Sequence, residues 1–226
     1  MKKYQFGEDV AGFSIPVLNE REVRAAAGLL FIFVFLAMQR VVFLWDFTFL
    51  KFVSTFFLAD FILRVFVSPR FSPSLILGRL IVRNQTPEYV GAEQKKFAWT
   101  IGVILGAIMF ISLNILNTHS PISGLICMIC LLFLFLETAF GICLGCKMYP
   151  LVYRKKPQYC PGEICELKDK QPIQFTSKSQ FIVLTIFILI FLATIPALKE
   201  HYSKEPTLSF GMEKPPMFQE RTQEEP

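Results

Sequence analysis

Five apolar runs punctuate the chain, and their lengths set the first expectation. A helix rises about 1.5 Å per residue, so a run of roughly 20 residues crosses the ~30 Å hydrocarbon core of a bilayer. The first run follows Asn19-Glu20-Arg21-Glu22-Val23-Arg24 and extends from Ala25 to Trp45. Its uninterrupted part stops at Met38, and Arg40 and Trp45 suit an interface, where long cations snorkel and Trp anchors. The second run, Phe47 to Val67, begins almost at once, so the two read as an antiparallel hairpin. A polar loop over 68–96, broken by Ser68-Pro69 and Ser72-Pro73, holds a short segment, Leu75 to Val82, that reads as an interfacial helix. The third run, Phe97 to Leu116, is uncharged, and the turn Asn117-Thr118-His119-Ser120-Pro121 leads into the fourth, Ile122 to Leu144, which closes on Gly145 and Cys146. A second basic loop over 147–178 precedes the fifth run, Phe181 to Leu198, and a polar tail containing Pro206, Pro215 and Pro216 that reads as disordered.

The expected fold is therefore an all-α integral membrane protein, a bundle of about five transmembrane helices. The division expected along the chain is an N-terminal tail over 1–18, a four-span core over 19–149, a basic loop over 150–178, a fifth helix over 179–199 and an outer tail over 200–226.

Composition supports lipid as the solvent. Of 226 residues, 53% are hydrophobic and 18% charged, whereas soluble domains carry roughly 25% charged residues. The net charge of +5 does not point to nucleic acid, because the basic residues sit in short loops between apolar runs rather than in one patch. Residues 1–24 mix Lys2, Lys3, Glu8 and Asp9 and lack a small-residue cleavage site, so no signal peptide is expected. Positive loops stay cytoplasmic. The N-terminal segment (Lys2, Lys3, Arg21, Arg24), the 68–96 loop (Arg70, Arg79, Arg83, Lys95, Lys96) and the 147–178 loop then share the inner side, with the N-terminus cytoplasmic and the C-terminus outside.

An ionisable side chain inside a span costs about 2.5–3.5 kcal/mol on insertion scales, so each needs a reason. Asp60 and Arg64 are spaced i, i+4 with the acid first, the better order for a helical ion pair. Glu137 has no such neighbour on its own helix and is expected as a buried carboxyl, structural or functional, with Arg64 across the bundle as a candidate partner.

The cysteines are the sharper signal: Cys127-Met-Ile-Cys130, Cys143-Leu-Gly-Cys146 and Cys160-Pro-Gly-Glu-Ile-Cys165. The first pair, within lipid, reads as small apolar residues. Cys143 and Cys146, at the cytoplasmic end of the same helix and followed by Lys147, read as a redox or sulfur-handling pair. A helix C-terminus disfavours a thiolate, which argues against thioredoxin-like chemistry unless Gly141 or Gly145 breaks the helix and reorients the pair. On one ideal helix the two pairs lie ~24 Å apart, too far for direct exchange. As an alternative, Cys143, Cys146, Cys160 and Cys165 form two close pairs suited to zinc or an iron–sulfur cluster. His119 and His201 have no ligand partner in their own segments, and the sequon Asn84-Gln85-Thr86 falls on the expected cytoplasmic side.

Four segments carry a resemblance: Asn19 to Arg24, Phe66-Val67-Ser68-Pro69-Arg70-Phe71-Ser72-Pro73, Gln94-Lys95-Lys96-Phe97-Ala98-Trp99, and Ala139-Phe140-Gly141-Ile142-Cys143-Leu144-Gly145-Cys146-Lys147-Met148-Tyr149. Over about residues 19–149 the chain resembles a bacterial family of small integral membrane proteins of unknown function, with four spans ending in a Cys-x-Gly-Cys-x-x-Tyr signature. The resemblance implies the bacterial inner membrane and lends no activity. The fifth span and the Cys160/Cys165 loop lie outside that core.

The leading expectation is a membrane protein handling thiols or reactive sulfur through Cys143 and Cys146. Its partners would be the bilayer and a thiol-redox or sulfur-carrier protein, with no resident cofactor. A metal-binding protein using the four cysteines, and a structural or assembly subunit with inert cysteines, are the competing readings. No phosphate loop, catalytic triad or quinone site is apparent.

Overall fold

Asn19 starts the bundle. In the computed structural model, which describes residues 6–154, 175–204 and 206–208, its side chain accepts the backbone N–H of Arg21 and caps α1 (Glu20–Leu44). Glu20 and Glu22 fill the first turn, where the helix dipole favours acids. The buried face of α1 repeats as Val23, Ala26, Ala27, Leu30, Val34, Ala37 and Val41, the three-and-four spacing of a helix with one inward stripe. Alanines on that stripe let neighbouring backbones approach, while Ile32, Phe33, Phe35 and Leu36 point outward.

A tight turn at Trp45 leads to α2 (Thr48–Ile62), which continues as a π-helical turn over Leu63–Val67. The short helix α3 (Pro73–Val82) is capped by Ser72. Two small strands, β1 (Val17–Asn19) and β2 (Tyr89–Gly91), pair antiparallel and bring the start of α4 (Ala92–Phe110, extended by a π turn over Ile111–Ile115) beside the start of α1. Strand β3 (Thr118–His119) precedes α5 (Pro121–Phe140), which opens with a reciprocal Ser120/Ser123 capping box. Then come α6 (Leu144–Tyr153), α7 (Lys178–Tyr202) and β4 (Thr207–Leu208), which pairs with β3.

Four helical segments, Glu20–Leu44, Ala92–Ile115, Pro121–Phe140 and Lys178–Tyr202, are long and apolar enough to cross a membrane. The segment expected as the second span is also continuous helix, but it carries Lys51, Asp60 and Arg64, all buried in protein contacts rather than facing outward.

The segment read as an interfacial helix packs one face on the bundle: Leu75 and Ile76 are buried, Leu77 and Ile81 are exposed, and α3 crosses α1 so closely that a Cβ on Gly78 would lie 2.6 Å from the Glu22 carbonyl oxygen. Two expectations are corrected. Arg79 and Lys95, counted as loop cations, are buried in ion pairs with carboxylates. The fourth run is not one helix. At Gly141 the backbone turns left-handed (φ 66°), with its N–H on the Glu137 carbonyl and the Ile142 N–H on the Leu136 carbonyl, so α5 closes its own end and the chain restarts as α6. Cys160 and Cys165 lie outside the described residues, as does the tail beyond Leu208.

Candidate functional site

The restart at α6 decides where the cysteine pair sits. Cys143 immediately precedes Leu144; its carbonyl accepts the Lys147 N–H at 3.1 Å and its sulfur accepts the Cys146 N–H at 3.3 Å. Those are the two bonds of a helix N-cap, with sulfur in place of the usual oxygen. The pair therefore opens a helix instead of closing one, and the expected dipole objection is reversed: the Cys146 N–H reaches the Cys143 sulfur at the helix end where an anion is favoured. Both thiols are free; Cys143 is buried and Cys146 partly so. The hydrogen bond to Cys143, followed by burial, holds the Cys146 thiol well above the ordinary range, with Lys95 pulling the other way.

Helix α6 is seated on α4. A Cβ on Gly145 would come within 2.5 Å of the Ala98 Cβ, the Tyr149 hydroxyl donates to Glu93 at 3.3 Å, and Tyr149 and Tyr153 pack edge-on against Phe97. That seat brings the cysteines up to a fully buried cation. Lys95 Nζ lies 2.6 Å from Glu137 Oε1 and 2.7 Å from Glu20 Oε2, tying the starts of α4 and α1 to the end of α5. Both Glu20 oxygens are buried, and Lys95 is the cation that faces them. Arg24 stands beside the cluster, donating to the Thr138 carbonyl, while the Thr138 hydroxyl donates to the Arg24 carbonyl.

Glu137 therefore takes Lys95 as partner. Arg64, the partner expected from sequence, is engaged by Asp60 at 2.9 Å, as their spacing implies, and Asp60 also accepts from Ser72 and from the Ser74 backbone and hydroxyl. The Arg64 guanidinium lies over the rings of Phe61 and Trp99, 4.5 and 5.1 Å from their centroids. Arg64, Trp99, Glu137, Cys130 and Cys143 border a common cavity of about 50 Å³.

Cys127 and Cys130 are buried on α5, with the Cys127 sulfur 3.2 Å from that of Met38, in an apolar setting that suits their reading as packing residues. Among the described residues no three His, Cys, Asp or Glu side chains come together as a metal site. The four-cysteine alternative depends on Cys160 and Cys165, outside those residues.

Sequence reasoning missed Lys95 and Glu20. Lys95 stands beside exposed Lys96 at the edge of an apolar run, so it reads as a loop charge. The available signal was its position one turn before Trp99, on the same helical face.

A family described as a domain of unknown function (DUF4395) matches residues 18–154. No curated protein and no solved structure matches the chain.

Proposed function

Taking as premise that the chain belongs to the family described as a domain of unknown function, DUF4395, we propose that it is a membrane thiol–disulfide exchange protein with Cys143 and Cys146 as its working pair. The observation that carries this reading is the Cys146 N–H directed at the Cys143 sulfur in the first turn of α6. A sulfur capping a helix is placed where negative charge is favoured, and a second thiol one turn away can resolve the mixed disulfide.

In the proposed cycle the Cys143 thiolate attacks a disulfide of a thiol-redox or sulfur-carrier partner. One partner S–S bond breaks, a mixed disulfide forms, and the first partner thiolate leaves. Cys146, deprotonated, then attacks the Cys143 sulfur and expels the second partner thiolate. Two electrons pass to the partner, whose thiolates take up protons; a dithiol reductant runs the steps backwards. The setting proposed is a bacterial inner membrane crossed five times, α2 included, with the N-terminus and the cysteine pair on the cytoplasmic side and the C-terminus outside.

The test is a trap. In cells, Cys146→Ser should accumulate a mixed disulfide visible on non-reducing gels, and Cys143→Ser should not. Absence of any adduct, together with Cys143 labelling by maleimide no faster than Cys130, overturns the proposal. For topology, added protease should digest a C-terminal tag but not an N-terminal one in spheroplasts; protection of both tags removes the fifth crossing.

A further inference from the structure

The break at Gly141 does more than restart a helix. We propose that Cys130 is a third thiol of the exchange site, attacking the Cys143 sulfur from inside the bundle and taking over its disulfide. The inference rests on the exchange reading above and adds to it a buried resolving thiol.

Geometry makes the first argument. On one straight helix Cys143 would lie about 20 Å beyond Cys130. The fold instead turns the chain back. Glu137 meets Lys95, yet Gly145, later in the chain, packs on Ala98, almost one turn further along α4. The segment after Gly141 therefore re-enters the bundle beside the last turns of α5. Cys130, Leu134 and Glu137 share one face of α5, and Cys143 borders the same cavity of about 50 Å³ as all three.

Selectivity makes the second argument. Cys127, one turn from Cys130, borders a second cavity of about 30 Å³ and not this one, and Cys146 borders neither. Packing accounts for the burial of both cysteines on α5, but Cys130 alone of the two opens onto the space at Cys143. It therefore meets a disulfide from the Cys143 side. The cavity exceeds the roughly 10–15 Å³ that one water needs, so water there can take the Cys130 proton. Cys130 then attacks the Cys143 sulfur: the Cys143–Cys146 bond breaks, a Cys130–Cys143 bond forms, and the departing Cys146 thiolate takes up a proton. Where Cys143 is joined to a partner instead, the same attack expels the partner thiolate. One disulfide replaces another, so no further oxidant is consumed. Exchange follows access, so Cys146, which is less buried, resolves first and Cys130 more slowly.

The experiment reads which cysteine Cys143 joins. The full-length reduced protein in lipid nanodiscs is mixed with oxidised glutathione, quenched with acid and mapped by mass spectrometry of its peptides. Cys146→Ser should yield Cys130–Cys143 as its main internal link, read without altering Cys130, so the idea stays testable if a Cys130 variant does not fold. In Cys146→Ser the glutathione adduct on Cys143 should outlive the wild-type adduct. Adding Cys130→Ala, which keeps a small apolar side chain, should lengthen its life severalfold more, and adding Cys127→Ala instead should leave it unchanged. An adduct whose lifetime ignores Cys130 or responds equally to Cys127, or a Cys143 that links to another cysteine and never to Cys130, overturns the inference and leaves the exchange reading intact. A wild-type protein that forms no adduct and no disulfide at Cys143 removes the exchange reading instead.

Discussion

The ammonium of Lys95 and the carboxylate of Glu137 are 2.6 Å apart, although 42 residues separate them in the chain. Three helices meet at this contact, because Glu20 approaches the same nitrogen from α1.

Removing the cation should therefore cost more than removing either acid. Lys95→Met leaves two buried carboxylates facing one another, and breaking a buried pair typically costs about 3–5 kcal/mol. Thermal unfolding in detergent should show this loss, with much of it restored in Lys95→Met combined with Glu20→Gln. A single Lys95→Met variant as stable as wild type would mean that the contact contributes little.

The break between α5 and α6 should be sensitive to one methyl group. Gly141 is left-handed, and Ala there is expected to cost about 1–2 kcal/mol; its Cβ would also meet the Arg24 guanidinium at 3.3 Å. The larger effect should be on chemistry. Gly141→Ala and Gly145→Ala both move the start of α6, so alkylation of Cys143 should slow in each while labelling of Cys130 stays unchanged. Equal Cys143 rates in all three proteins would separate reactivity from the helix cap.

The two thiols should respond differently to pH. The hydrogen bond to Cys143 and burial keep Cys146 protonated through neutral pH, so iodoacetamide should modify one thiol of the pair first and the second only in alkali. The same shift carries a stability sign. A thiol that holds its proton more tightly when folded stabilises the protein below the unfolded pKa of about 8.5, and the benefit fades as pH rises above it. The alkaline fall in Tm should accordingly be smaller in Cys146→Ser than in wild type; an identical fall would show that Cys146 does not contribute to it.

At the opposite end, the Lys51 ammonium donates to the Asn117 side chain at 2.6 Å and to the carbonyls of Tyr202 and Lys204 at 3.3 and 2.8 Å. Lys51→Met removes all three bonds at the end of α7. With a protease site inserted within 155–174 and cleaved, α7 should stay with the wild-type bundle through gel filtration and separate from the Lys51→Met bundle. Co-elution in both would place the attachment elsewhere along α7.

Much of this architecture is legible in the chain, because apolar runs and short polar turns determine which helices are neighbours. Asp60 and Arg64 could be paired because both partners lie on one helix, four residues apart. Glu137 could not be matched with Lys95, because helical spacing says nothing about contacts between helices, and Lys95 reads as a loop charge whereas Arg64 lies inside an expected span. The helix restart was legible only as a possibility: Gly141 and Gly145 both permit a break, and hydrogen bonding at Glu137, Gly141 and Ile142 selects the first. That selection changes the chemistry more than any other local feature, since it moves Cys143 from the disfavoured to the favoured end of a helix.

Helix α7 lies beyond the matched family segment and buries little of its length. Its fastenings mix main chain and side chain: Lys51 holds carbonyls at one end, where the Tyr202 hydroxyl also meets Asn114 and Thr55, Arg79 holds the Phe175 carbonyl before the other, and the Gln180 side chain donates to the Arg70 carbonyl. Between them lies a strip of Phe rings, with Phe52 and Phe56 of α2 against Phe187 and Phe191. A carbonyl offers the same acceptor whatever side chain it accompanies, whereas the Gln180 amide and the Tyr202 hydroxyl are lost when those residues change. Helix α7 is thus moored at its two ends, by Gln180 near its start and Tyr202 at its close, so its outward residues can drift freely among apolar types while those two side chains and the mooring points on the core, Lys51 and Arg79, cannot.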